Sequence, residues 1–228
     1  MAATVEQAQR DLRRLARRGT TLDFGLPLAV GGAAPRQSSV LILFGALDRV
    51  PAADSTGMVA PELDVLLTRR SDRLSHHPGQ IAFPGGGAEA GDASPVATAL
   101  REASEETGLD SAGVTVLGTL TEALIPNSGN LVTPVLGWWH LPVTVAPDQD
   151  ETVEVFRAPV ADLLNPANRW TSVYRRDGYV HYGPMFLLGP HLGGHVVWGF
   201  TAMVLSTLFD ELGWTAPWDG GREYLLNR

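Results

Sequence analysis

The amino-acid sequence predicts an α+β or α/β sandwich in one domain. Three observations carry this. Short apolar, β-rich runs recur through the middle of the chain. Helix-patterned stretches are few and stand near the start, near residue 100 and near residue 205. No internal repeat or low-complexity tract divides the 228 residues, a length that suits one large domain or one domain with decorations.

Each element has its own reason. Residues 4–17 are helix-like, because Val5, Ala8, Leu12 and Leu15 fall near helical spacing. Arg13, Arg14, Arg17 and Arg18 lie toward the end of that helix, where the macrodipole favours cations; they read as a solvated helix end in preference to the alternative, an anion-binding patch. Residues 25–37, rich in Gly, Pro and Ala, read as a loop, as do 48–61. Strands are expected at 40–44, 63–68, 80–83, 114–120 and 131–139, with a short extended segment at 153–156. A helix is expected over Pro95–Thr107, capped by Ser94, opened by Pro95 and closed by Gly108. A short helix follows at 159–164. A hairpin is expected at 170–182, turning at Arg176-Asp177-Gly178, and an apolar helix at 198–212, closed by Gly213.

Composition narrows the function. The chain has no cysteine, which excludes disulfides, zinc–thiolate sites and thiol catalysis. Its net charge is −8, without the basic domain or stripe of a nucleic-acid binder. The apolar fraction of 44% and mean hydropathy of +0.02 are ordinary for a globular protein. No signal peptide stands out, and no apolar run approaches the roughly 20 residues a spanning helix needs. A cytoplasmic setting with neither nucleic acid nor membrane as partner is expected.

Chemistry concentrates in Gly85-Gly86-Gly87 and in Arg101-Glu102-Ala103-Ser104-Glu105-Glu106-Thr107-Gly108. On a helix, Glu102, Glu105 and Glu106 stand at i, i+3 and i+4, with neighbouring Cβ atoms about 5–6 Å apart. Such like charges repel, and only Arg101 lies close by in sequence to offset them. A hard divalent cation would, since Mg²⁺ and Mn²⁺ prefer carboxylate and water oxygens. The opposite face, Val96, Ala99, Leu100 and Ala103, is apolar and can anchor the helix in a core. The preceding glycines can expose backbone N–H groups to a phosphate.

At these residues the sequence resembles the Nudix hydrolases. Arg101-Glu102-Ala103-Ser104-Glu105-Glu106-Thr107-Gly108-Leu109 matches the second half of their box in full. The first half departs from it: five residues after Gly86 stands Asp92 in place of Glu, and one extra residue precedes Arg101. Starting from Gly87 instead would put Ala93 at the acidic position. The stretch from Leu66 through Arg69-Arg70-Ser71 and His77-Pro78-Gly79 to Phe83-Pro84-Gly85-Gly86 looks like the signature of the coenzyme A pyrophosphatase branch. Ser75 stands where that branch often has Arg. Asn127-Ser128-Gly129-Asn130-Leu131-Val132-Thr133-Pro134-Val135 and Val197-Trp198-Gly199-Phe200-Thr201-Ala202 resemble two later stretches of the branch, so the likeness covers roughly residues 40–212.

The resemblance implies an α+β Nudix fold, a mixed β-sheet sandwiched between α-helices. It implies an N-terminal helix and loop extension at 1–37 and the hydrolase domain at 38–228. It implies water attack on a P–O–P linkage with Mg²⁺ or Mn²⁺ as cofactor, because the charge spread over the phosphates must be neutralised as the bond breaks. Glu102, Glu105 and Glu106 are the implied metal ligands. Arg101 is implied to orient a box glutamate through a charge-assisted hydrogen bond. Glu102, Glu105 or a later carboxylate, with Glu154 preferred over Glu151, is the expected base. Arg69, Arg70, Arg73 and His77 are candidates for the anionic substrate, and Gly85 and Gly86 let the backbone approach the site closely. Trp138, Trp139 and Trp170 could stack an adenine or lie in the core. The strand with two tryptophans is also a candidate homodimer interface.

Three functions follow. The first is hydrolysis of coenzyme A or an acyl-coenzyme A to 3′,5′-ADP and 4′-phosphopantetheine. The second is hydrolysis of another nucleoside diphosphate derivative, such as ADP-ribose or a dinucleotide. The third is a non-catalytic nucleotide sensor, which would have no need of three mutually repelling carboxylates.

Overall fold

A computed structural model describes residues 3–18, 34–46, 52, 57–74, 78–125, 128–176 and 179–226. Among these the chain forms α1 (Val5–Arg18), β1 (Arg36–Gly45), β2 (Asp64–Arg70), β3 (Ile81–Ala82), β4 (Gly85–Gly87), α2 (Pro95–Thr107), β5 (Val114–Thr119), β6 (Ala123–Ile125), β7 (Asn130–Trp139), β8 (Thr152–Pro159), α3 (Val160–Leu164), β9 (Arg169–Arg176), β10 (Tyr179–Leu187), β11 (Val196–Val197), α4 (Gly199–Glu211) and β12 (Glu223–Leu225). Parts of the two expected loops, 25–33 and most of 48–56, and the hairpin turn at Asp177-Gly178 lie outside the described residues.

The main sheet runs β3-β2-β1-β7-β5, with β4 beside β1, β6 beside β7 and β8 beside β2. It is mixed, because β1 and β7 are parallel from Arg36↔Asn130 to Phe44↔Trp138 while the other pairs are antiparallel. A second sheet runs β11-β10-β9-β12.

Alternation along β1 explains the layers. Leu41 and Leu43 turn to one side and pack with Ala99 and Ala103 of α2. Ile42 and Phe44 turn to the other and pack with Leu12 of α1 and Leu205 and Phe209 of α4. The mixed sheet thus lies between helices, as expected. The boundary drawn at residue 37 falls inside β1, and α1 lends Ala8, Leu12 and Leu15 to the larger core. No helix among the described residues is long and apolar enough to cross a membrane.

Helix α2 follows its sequence signals. The Ser94 side chain accepts from the Ala97 N–H at 3.2 Å, and Gly108 adopts φ 68° while its N–H donates to the Ser104 carbonyl. The glycine triplet, expected to expose backbone N–H groups to a phosphate, forms β4, paired with β1 through Ser38↔Gly87, Ser39↔Gly86 and Val40↔Gly85. Strand propensity argues against three glycines, but close approach by neighbouring atoms demands Gly85 and Gly86. At Gly85, φ is 156° and a Cβ would run into the Ser39 carbonyl and Val40.

Candidate functional site

Helix α2 and strand β4 build the site between them. Glu106, only 5% exposed, accepts the Gly85 N–H on Oε2 at 3.2 Å. Burial pushes its carboxyl up to about 8, against the pull of the Gly85 N–H and the Arg70 charge, and Glu102 and Glu151 push the same way as burial. One turn earlier, the Glu102 carboxylate lies against Gly86 so closely that a Cβ there would overlap it. Burial also raises Glu102, partly offset by Arg101 and reinforced by Glu105 and Glu151.

Arg101 ties the site together. Its Nη1 lies 3.0 Å from Glu102 Oε1 and donates to Glu105 Oε2 at 2.9 Å. Its Nη2 donates to the Gly87 carbonyl at 2.9 Å. Nε and Nη2 donate to the two oxygens of Asp92 at 3.1 and 3.0 Å. The Asp92 carboxyl is held well below the usual range, first by Arg101 and then by the Glu89 N–H. The guanidinium is held charged, foremost by Asp92. The alignment that puts Asp92 at the acidic position of the box therefore agrees with the contacts.

The carboxylates are not equivalent. Glu105 is 60% exposed and turned to Arg101, away from the Glu102–Glu106 pair's shelter. Among the described residues, no three acidic or histidine side chains are gathered as a ready metal cage. Glu102 and Glu106 nonetheless suit a hard cation. They are oxygen donors one turn apart, both desolvated and both in the field of Glu151, with Glu102 also raising Glu106, so a divalent charge would relieve both.

Strand alternation divides the other candidates. On β2, Arg70 faces the α2 side: it acts on Glu106, and its Nη2 lies 3.9 Å from Glu151 Oε2. Arg69 faces the other side and pairs with Asp72 at 2.5 Å. Arg73 is exposed, and its N–H donates to Ser71 Oγ at 3.4 Å. His77 lies outside the described residues.

Glu154 is a correction. It sits in β8 opposite Arg69, and its Oε2 meets His195 Nε2 at 2.9 Å. Phe156, two residues on, joins the core of the α1–α4 side, whereas Val155 joins the α2 side. A strand places residues two apart on one face, so Glu154 shares the side of Phe156 and points away from Glu102 and Glu106. Glu151 is the carboxylate that reaches their field. The loop before β8 puts it there: Asp148 Oδ1 accepts the N–H groups of Asp150, Glu151 and Thr152, and the Asp148 N–H donates to the Glu106 carbonyl. An Asp followed closely by Thr at a strand start was the available signal.

The tryptophans settle as structure. Trp138 and Trp139, 6% and 2% exposed, lie in the two cores on either side of the interior strand β7, which excludes them from both adenine stacking and a dimer interface. Trp170 is half-buried beneath Arg222, whose guanidinium sits 3.9 Å from its ring centre.

Known proteins resemble this chain in sequence and in fold. A family model described as the NUDIX domain matches residues 49–176. A protein of Yersinia enterocolitica named "Uncharacterized Nudix hydrolase NudL" is 36% identical over 152 residues, which are 67% of this chain and 75% of that protein. A Photorhabdus laumondii protein of the same name is 36% identical over 152 residues, 67% of this chain and 79% of that one. Among solved structures, a MutT/nudix family protein from Enterococcus faecalis aligns with 91% of this chain and 74% of its own, at 15% identity and a TM-score of 0.48. A Nudix hydrolase from M. smegmatis, RenU, aligns with 56% of this chain and 73% of its own, at 25% identity and a TM-score of 0.41. With the family model matched across the Glu102–Glu106 helix and the β2 arginines, the chain belongs to the NUDIX domain family, as a Nudix hydrolase.

Proposed function

We propose that the chain hydrolyses the pyrophosphate bond of coenzyme A or an acyl-coenzyme A, giving 3′,5′-ADP and 4′-phosphopantetheine, with Mg²⁺ or Mn²⁺. The observation that carries the chemistry is the desolvated Glu102–Glu106 pair, one helical turn apart and backed by Gly85 and Gly86. The substrate reading rests on the residues that resemble the coenzyme A branch, Leu66-Leu67-Thr68 through Phe83-Pro84-Gly85-Gly86.

In this reading Glu102 and Glu106 hold the cation, with Glu105 available if it leaves Arg101. The bound ion supplies charge neutralisation at the phosphates and a lowered pKa for water. Arg101 holds the Glu102 carboxylate and the Gly87 carbonyl in place. Arg70, on the same side, is a fixed cation for a diphosphate, and Arg73 offers an exposed second one. Arg69, engaged by Asp72 on the other side, would reach only a part of the substrate extending past the edge of β2. Glu151 takes the role of base that was assigned to Glu154.

The test is incubation with coenzyme A and excess Mg²⁺ or Mn²⁺, with products resolved by chromatography and Glu106→Gln as control. Appearance of 3′,5′-ADP that the control lacks is expected. Failure on coenzyme A with turnover of ADP-ribose or a dinucleotide would transfer the substrate to the second reading, which Ser75 at the branch's usual Arg position favours. Comparing coenzyme A with dephospho-coenzyme A reads the weight of the 3′-phosphate directly.

A further inference from the structure

Helix α1 carries five of the chain's arginines along one side. Arg10, Arg13, Arg14 and Arg17 stand at i, i+3, i+4 and i+7, and Arg18 lies one turn beyond Arg14. At about 100° per residue they share a face, and it is the face opposite Ala8, Leu12 and Leu15. All five are exposed, while those three apolar residues are in the core. Arg14 pairs with Asp11, and Arg10 donates to the Gln7 side-chain oxygen at 2.8 Å. Among the described residues, Arg13, Arg17 and Arg18 have no carboxylate partner. This crowding of like charge works against the helix, and it stands in a chain whose net charge is −8.

We propose that this face docks the protein on an anionic bilayer surface. Clusters of four to eight basic residues on an amphipathic helix suit anionic lipid headgroups. Here the apolar side of α1 is committed to the protein's own core, so attachment is electrostatic and reversible, without insertion. The acidic remainder of the chain also selects the partner. A planar surface meets the arginine face alone and leaves the acidic body in solvent. The face is only about 12 Å long, nine residues from Arg10 to Arg18 with a rise of about 1.5 Å between neighbours, short for a stripe along which a nucleic-acid strand could run. This inference departs from the expectation that no membrane is a partner, and it stands independently of the substrate proposed above.

The test uses the full chain, sedimented with vesicles of phosphatidylcholine alone or of about equal parts phosphatidylcholine and phosphatidylglycerol. Binding to the anionic vesicles only is expected, with release in about 1 M NaCl, where the screening length falls to about 3 Å. The triple variant Arg13→Gln, Arg14→Gln, Arg17→Gln should bind roughly a hundredfold more weakly, about fivefold per arginine. Its thermal midpoint and hydrolase activity should match the parent, since all three side chains are exposed and remote from Glu106 in the fold's layering. No binding to anionic vesicles overturns the proposal, as does equal binding by the triple variant. Capture of a single-stranded oligonucleotide in place of vesicles overturns it in favour of a nucleic-acid surface.

Discussion

Asp92 grips Arg101 with both carboxylate oxygens, taking Nε on Oδ1 at 3.1 Å and Nη2 on Oδ2 at 3.0 Å. The fork leaves Nη1 to face Glu102 and Glu105, while Nη2 also holds the Gly87 carbonyl. One aspartate outside the helix therefore sets the orientation of the arginine that connects β4 to the carboxylate face of α2. Thr98 Oγ1 and the Glu89 N–H also donate to it, at 3.0 and 2.9 Å, so its own position is fixed.

The Asp92–Arg101 pair should be visible as acid sensitivity. The folded carboxyl lies below its unfolded value, so the stability it contributes is present above about pH 4 and is lost as pH falls through the folded value. Asp92→Asn should be less stable than the parent at neutral pH, and the gap should close as pH drops below about 4. Urea midpoints measured across that range check this. A gap independent of pH would show that Asp92 acts through packing alone.

Glu106 predicts the opposite sign. Its carboxyl is raised to about 8, so metal-free protein loses stability as pH rises from about 4.5 toward 8. A shift of that size corresponds to about 5 kcal/mol. Glu106→Gln removes the buried charge, so without metal it should melt higher than the parent at alkaline pH and about equally at acid pH. Added Mg²⁺ should raise the parent's melting temperature and leave the variant's unchanged. Calorimetry with and without Mg²⁺ gives both readings.

Much of this arrangement could be read from sequence because its signals are local. Ser94, Pro95 and Gly108 mark the ends of α2, and the spacing of Glu102 and Glu106 puts both on one face. Strand β4 could not be read that way, since three glycines carry no strand preference and the reason for Gly85 and Gly86 lies in Ser39, Val40 and Glu102 across the fold. Short β6, β11 and β12 hold two or three residues each, too few to show alternation. The choice between Glu151 and Glu154 depended on which side of β8 faces α2, and the neighbours Val155 and Phe156 are both apolar.

Gly85 and Gly86 are required for different reasons, and alanine separates them. At Gly86 a Cβ would overlap the end of the Glu102 side chain, which can swing aside. Gly86→Ala should therefore fold nearly as well as the parent but lose activity by about a hundredfold, the scale of a misplaced catalytic group. At Gly85 the obstacles are backbone atoms of Ser39 and Val40, and φ is 156°. Gly85→Ala should cost more than about 3 kcal/mol, through overpacking together with strain. Activity and urea midpoints for both variants check the contrast.

Glu151 and Glu154 should separate just as cleanly. Glu151 is 62% exposed, adds to the field at Glu102 and Glu106, and is carried by a loop whose Asp148 N–H donates to the Glu106 carbonyl. A carboxylate so placed can take a proton from water beside the glutamate pair. Glu154 bonds His195 on the far side of the sheet, where it joins β8 to the segment before β11. Glu151→Gln should lower kcat by about 10²–10⁴-fold with little change in KM, the range for loss of a general base. Glu154→Gln should leave kcat within a few-fold and shift the melting temperature by only a few degrees, as for a partly exposed hydrogen bond. The reverse pattern would return the base to Glu154 and require the substrate to cross to the α4 side of the sheet.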